Sequence, residues 1–228
     1  MLISLPPELT VIFEGNNFLR LLGGLWTSVS IALFALIIAI PLGIILGCLQ
    51  SMKLPLISAI LKFYLEFVRI MPQLVLLFLV FFTSAKTFGI DISGYASAVV
   101  VFGFWGVAEI MDLVRGAIDS VPRTQIEAAT SLGMRHLQVQ YLVTLPFTVR
   151  QLIPQLINLI TRMVKTTSLV VLIGVVEVLK VGQQIIDANR FTTAPELAFW
   201  VYLVIFLLYF LACWPLTIFA SWLEKKLK

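Results

Sequence analysis

The sequence has 228 residues, 60% of them hydrophobic and only 12% charged, with a formal net charge of +4 and a mean hydropathy of +1.04. So many apolar side chains exceed what one water-soluble core can bury, which excludes an ordinary soluble domain and requires lipid. Lys and Arg do not cluster with aromatics, which argues against nucleic acid as a partner. Cys48 and Cys213 each sit in an apolar run without ligand-like spacing and are expected as small packing residues.

Residues 1–21 mix Pro6, Pro7, Glu8, Glu14 and Arg20 with Leu9, Ile12, Phe13 and Phe18. That pattern predicts an amphipathic segment on the membrane surface, and it lacks the features of a removable signal peptide. Residues 22–222 are read as the membrane domain and 223–228 as a basic tail. The first span is predicted over residues 22–49, a run without charge that exceeds the roughly 20 residues needed to cross the hydrocarbon. Within it Ser28, Ala32, Ala35, Ala39, Gly43 and Gly47 recur at steps of three and four, a stripe of small residues suited to close helix packing. Gln50 to Arg69 reads as a polar connection, residues 70–85 as the second span and residues 95–114 as the third, with Glu109 and Asp112 near its end. A polar loop follows over about 119–146. The fourth span carries Pro154, Asn158, Arg162 and Lys165 before Thr166, Thr167 and Ser168. Residues 180–196 are polar, and 197–219 form the fifth span. The expected fold is therefore an all-α membrane protein with five transmembrane helices. Basic residues concentrate on one side if the N-terminus is outside and the C-terminus cytoplasmic, which sets the orientation.

Two stretches invite a function. Within Glu127 to Pro146, Ile126, Ala129, Gly133 and Leu137 fall on one face of a predicted short exposed helix, narrow enough for another backbone to approach. In the fourth span, ionisable side chains cost roughly 2.5–3.5 kcal/mol each on insertion scales unless they face a cavity or a partner. Arg162 and Lys165, with Asn158 on the same face and the hydroxyls of Thr166, Thr167 and Ser168 able to satisfy an opened turn, are candidates to line a solute path. An ion pair of Arg162 or Lys165 with Glu109, Asp112 or Glu177 is the structural alternative, and the two readings are compatible. His136 is the only histidine, and no nucleophile, metal-ligand or phosphate-loop motif appears. The chain is expected not to be an enzyme.

Glu127-Ala128-Ala129 with Gly133 and Leu145-Pro146 resembles the cytoplasmic loop of inner-membrane permease subunits of ATP-binding-cassette importers. With Gly24 to Ser28, Phe67 to Pro72, Glu109, Arg115-Gly116, Gln125 and Lys165 to Leu169, the chain is similar to the polar amino acid uptake branch. The resemblance implies a type I importer fold in the bacterial inner membrane. It also implies a coupling helix in which Gln125, Glu127, Ala128, Ala129, Gly133 and Arg135 meet an ATPase subunit. Implied partners are two ATPase subunits carrying ATP and Mg, a second permease subunit, an extracytoplasmic solute-binding protein and lipid, with no cofactor on this chain. The implied function is the translocation path of an ATP-driven amino acid importer; an autonomous carrier or channel for a small polar solute is the alternative. Two departures stand out. Thr166 replaces the acid of the branch's K-D-T-S-L, which favours neutral or acidic over cationic solutes, and Thr124 replaces the glycine of P-x-G-Q.

Overall fold

The computed structural model describes residues 7–89, 91–190 and 196–227, and these are helical almost throughout. In chain order they form α1 (Pro7–Phe13), α2 (Asn17–Ser51), α3 (Pro55–Ile70), α4 (Gln73–Phe88) and α5 (Gly94–Asp119). After these come α6 (Arg123–Ser131), α7 (His136–Val139), a π turn (Gln140–Thr144), α8 (Leu145–Thr166), a 3-10 stretch (Thr167–Ile173), α9 (Val178–Ala188) and α10 (Leu197–Leu227). Four helical stretches are long and apolar enough to cross a membrane, and α3 with α4 makes a fifth if that pair, bent by 96°, is taken as one span. The expected polar connection over residues 50–69 is therefore wrong: most of it is α3. Its charges mislead because Leu61, Leu65 and Val68 still supply a buried face at helical spacing.

The bend falls at Met71-Pro72. Proline disfavours the helical conformation in the residue before it, and Met71 is accordingly extended at ψ 127°. Helix α5 is the centre of the bundle. In its apolar window 67% is buried, against 33% for α2 and 22% for α10, so its partners pack around it.

From Ala35 onward the small-residue stripe of α2 is its seam with α5, while Ser28 at its start turns toward Glu177 and Tyr209. Ser28, Ala32, Ala35, Ala39, Gly43 and Gly47 are all buried, and a Cβ on Gly43 would lie 2.6 Å from Cβ of Ile110. Lipid offers no hydrophobic drive for this contact, so the gain comes from dispersion between closely approached backbones. Cys213 is buried as expected, but Cys48 is exposed, because it lies one residue past the seam glycine and turns off the contact.

A second cluster joins Ile12, Leu21, Val178, Val181, Ile185, Leu197 and Val201. Helix α1 thus packs against the bundle through Ile12. The polar run expected over 180–196 contains α9, whose Val178, Val181, Gly182 and Ile185 are buried. Residues 191–195 of that run lie outside the described residues.

Glu177 holds this region together. It is fully buried and caps α9 by accepting from the backbone N–H of Lys180 at 2.9 Å. It also accepts from the hydroxyls of Ser28 at 3.3 Å and Tyr209 at 3.2 Å. Gly24 lets α2 come this close, since a Cβ there would meet the Val178 backbone at 2.7 Å.

Burial pushes the Glu177 carboxyl up from its ordinary value, against the downward pull of the Leu179 and Lys180 N–H groups and the two hydroxyls. A carboxyl raised in the folded state supports folding fully below its unfolded value and loses that support as pH rises through the folded one. Glu177→Gln is therefore expected to melt higher than the parent at alkaline pH. The gap should close toward pH 4.5, the ordinary value, in a pH series of melting curves.

Candidate functional site

The polar loop does not form one continuous helix. Helix α6 stops at Ser131 in a Schellman cap: the Gly133 N–H donates to the Thr130 carbonyl at 2.9 Å and the Met134 N–H to Ala129 at 3.2 Å. Gly133 sits at φ +79°, a left-handed conformation that disfavours any side chain, and its Cβ position faces open space. Its role is to turn the chain, not to thin a helix face. The expected face therefore splits. Ala129 is buried beneath α6, while Leu137 is exposed on α7 beyond the turn. Gln125, Glu127, Ala128 and Arg135 are exposed, and the Arg135 N–H is held by Oε1 of Gln138 at 2.8 Å. Leu132 is 83% exposed and Leu137 69%. The result is a two-helix knob whose charged and apolar side chains point away from the bundle.

Above the knob, α8 carries a polar stripe. Gln151, Gln155, Asn158, Arg162 and Lys165 recur at steps of four and three, and all are exposed. A groove of about 690 Å³ runs along its lower half, bounded by Gln125, Arg150, Gln151, Gln155, Asn158 and Glu224. The Ser120 hydroxyl donates to Gln151 Oε1 at 2.9 Å, tying the end of α5 to the stripe. Lys165 opens on a separate groove against α10, beside Tyr209 and Trp214. Past Lys165 the helix tightens into the 3-10 stretch. There the hydroxyls of Thr166, Thr167 and Ser168 donate to the carbonyls of Arg162, Val164 and Lys165 at 2.9, 2.7 and 3.0 Å. Thr167 is fully buried, so it faces the protein and is separated from Thr166 and Ser168, which are half-buried.

Arg162 pairs with Glu109, one of the partners expected from the sequence, and its guanidinium carbon lies 5.2 Å from the ring centre of Trp105. The pair belongs to a larger network. Arg69, at the end of α3, lies 3.7 Å from Glu109 and donates to Asp112 at 2.6 Å. Arg115 donates to Asp112 at 2.6 Å and to Asp119 at 3.2 Å. Three guanidiniums and three carboxylates thus link α3, α5 and α8 in a neutral chain that ends where α5 gives way to α6. Among the described residues Lys165 makes no ion pair.

A family described as "binding-protein-dependent transport system inner membrane component" matches residues 39–228. The chain belongs to this family. It is 31% identical over 222 residues to the probable amino-acid ABC transporter permease protein PatM of Vibrio harveyi, covering 94% of this chain and 96% of the relative. It is also 31% identical over 210 residues to the glutamate transport system permease protein GluD of Corynebacterium glutamicum, covering 91% and 75%. A crystal structure of an amino acid ABC transporter with histidines superposes with a TM-score of 0.84 at 23% identity, covering 98% of this chain and 100% of that one. The methionine transporter MetNI, in an inward-facing form, superposes at 0.65 and 18%, covering 92% and 97%. The fold is shared with both.

For this inner membrane component, sequence reasoning singled out Arg162 and Lys165 and offered Asp112 as a partner for them, but left Arg69 in a connection and did not pair Asp112 with Arg69 or Arg115, as the structure does. Part of the network had a signal. Asp112, Arg115 and Asp119 stand at i, i+3 and i+7, the spacing of charge pairs on a helix face. Arg69 had none, because its place beside Glu109 depends on the bend after α3.

Proposed function

We propose that the chain is the membrane-embedded permease subunit of an ATP-driven amino acid importer in a bacterial cytoplasmic membrane. Its N-terminus is outside and its C-terminus inside, with Lys225 and Lys226 at the inner end of α10. Two such subunits, alike or different, enclose the path. Two ATPase subunits that carry ATP and Mg seat on the knobs, and a solute-binding protein delivers solute from outside.

The observation that carries this reading is the exposed knob. Leu132 and Leu137 expose most of their surface beside Glu127 and Arg135, a mixed apolar and charged patch that calls for a protein partner. Gln125 and Glu127 fix the register by polar contacts, Ala128 and Ala129 keep the helix slim, and Gly133 sets the angle between α6 and α7. The stripe Asn158, Arg162 and Lys165, with Thr166 and Ser168, lines the path. Charges at that depth are tolerated only against water or protein. Closure of the ATPases on ATP rotates each bundle as a rigid body and moves the stripe from inner to outer access.

The solute is a neutral or acidic amino acid. Thr166 stands where the branch has an acid, Lys165 has no ion-pair partner among the described residues, and relatives are named for amino acid and glutamate transport. The test is uptake of radiolabelled L-glutamine and L-glutamate into proteoliposomes that hold the full complex. Uptake is expected only with ATP inside and ATPase subunits present. Uptake that persists without the ATPase subunits overturns the reading in favour of an autonomous carrier.

A further inference from the structure

Among the charged groups on this face, Glu109 is held by two cations that both remain open to the outside. Its own side chain is 12% exposed, whereas those of Arg69 and Arg162 are 44% and 53% exposed. Arg162 reaches Glu109 through Nη2 alone, and its other N–H groups meet no acceptor among the described residues. A guanidinium carries five donors in a planar fork that suits a carboxylate bidentately. Half of such a fork is filled from within the protein and half faces the path. Trp105 beneath it keeps the guanidinium in place whichever carboxylate it holds.

We propose that Glu109 is a built-in surrogate for the α-carboxylate of the solute: it occupies Arg162 in the empty permease and yields it to an incoming carboxylate. This rests on reading the α8 stripe as the wall of the solute path. The physical argument is one of charge conservation. Without a surrogate, an empty permease would hold an unpaired guanidinium at membrane depth, which is unfavourable. With it, binding exchanges one carboxylate for another, and no new ion pair has to be desolvated. The displaced Glu109 is not stranded either, because Arg69 already stands 3.7 Å away.

The exchange has a route toward the knob. Arg69 holds Asp112 as well as Glu109, and Asp112 holds Arg115, which holds Asp119 at the last turn of α5. Drawing Arg69 toward Glu109 loosens its 2.6 Å contact with Asp112 and shifts that chain just before α6 begins. Solutes with a carboxylate are selected, because an amine without one cannot take the place of Glu109 on Arg162.

The test uses the detergent-purified complex of the permease with its ATPase subunits, in equilibrium binding. The probes are L-glutamine, L-glutamate and 4-aminobutanamide, the decarboxylated analogue of glutamine. Glu109→Gln removes the internal competitor and is expected to tighten both amino acids about tenfold while leaving the amide unaffected. Glu109→Asp, which keeps the charge but draws it back from Arg162, is expected to shift them the same way by less. It serves also if the Gln variant does not assemble, as judged by its melting curve. Arg162→Gln is expected to abolish binding of both amino acids. Unchanged or weaker amino acid binding in the Glu109 variants, with Arg162→Gln still abolishing it, overturns the surrogate and leaves the path reading standing. Binding and transport undisturbed in Arg162→Gln overturn the path reading itself. No binding of either amino acid to parent and Glu109→Gln alike also overturns the surrogate.

Discussion

Gly47→Ala is expected to prevent stable assembly of the bundle, while Gly103→Ala, on the facing helix, is expected to be nearly silent. A Cβ at Gly47 would meet Cβ of Val114 at 2.6 Å and the carbonyl oxygen of Met111 at 2.7 Å. The second of these is backbone and cannot rotate away. Room can be made only by prising α2 from α5, the pair with the most extensive contact in the protein. Overpacking of this kind costs about 3 kcal/mol, a large fraction of a typical net stability. At Gly103 the nearest atom is the Ala35 carbonyl oxygen at 3.7 Å, ordinary contact distance. Accumulation in membranes and melting temperature in detergent report the difference, and equal behaviour of the two variants would show that the seam is looser than described.

The second large effect concerns the knob. Gly133→Val is expected to leave insertion and melting temperature close to the parent but to lower ATP-driven uptake about tenfold. A β-branched residue at φ +79° pays about 1–2 kcal/mol of backbone strain, and relief comes by unwinding the Schellman cap, which re-aims α7 relative to α6. Gly133→Asn separates this from a loss of space, since asparagine tolerates the left-handed conformation and reproduces the cap. It is expected to keep most of the uptake. Equal loss in both variants points to steric contact with the ATPase instead of the turn.

These two glycines also mark how far the sequence can be read. Gly47 was legible, because a period of three and four in small residues means close helix packing inside lipid, and the structure puts the stripe from Ala35 to Gly47 on α5. Gly133 was visible as a residue but misassigned. Its spacing from Ala129 fits a helix face as well as a cap, and only the hydrogen bonds to Thr130 and Ala129 decide between them. The same limit applies to the charges. Arg162 with Glu109 could be anticipated, because two ionisable groups at similar membrane depth need each other. Arg69 could not, since its approach depends on a 96° bend that hydropathy averages into a connection. Glu177, expected as an ion-pair partner of Arg162 or Lys165, instead caps its own helix through the Lys180 N–H and takes two hydroxyls, Ser28 and Tyr209, from helices far away in sequence.

The π turn at Gln140–Thr144 joins the knob to the stripe. Such a turn amounts to one residue inserted into an α-helix, and each residue advances the helix by about 100°. Were that extra residue deleted and the ladder closed to ordinary bonding, α8 would keep its pitch but lose its phase with respect to everything before it. Gln151 through Lys165 would swing by more than a quarter of a revolution relative to α6 and α7. One extra residue thus sets the angular offset between the two-helix knob and the polar stripe of α8.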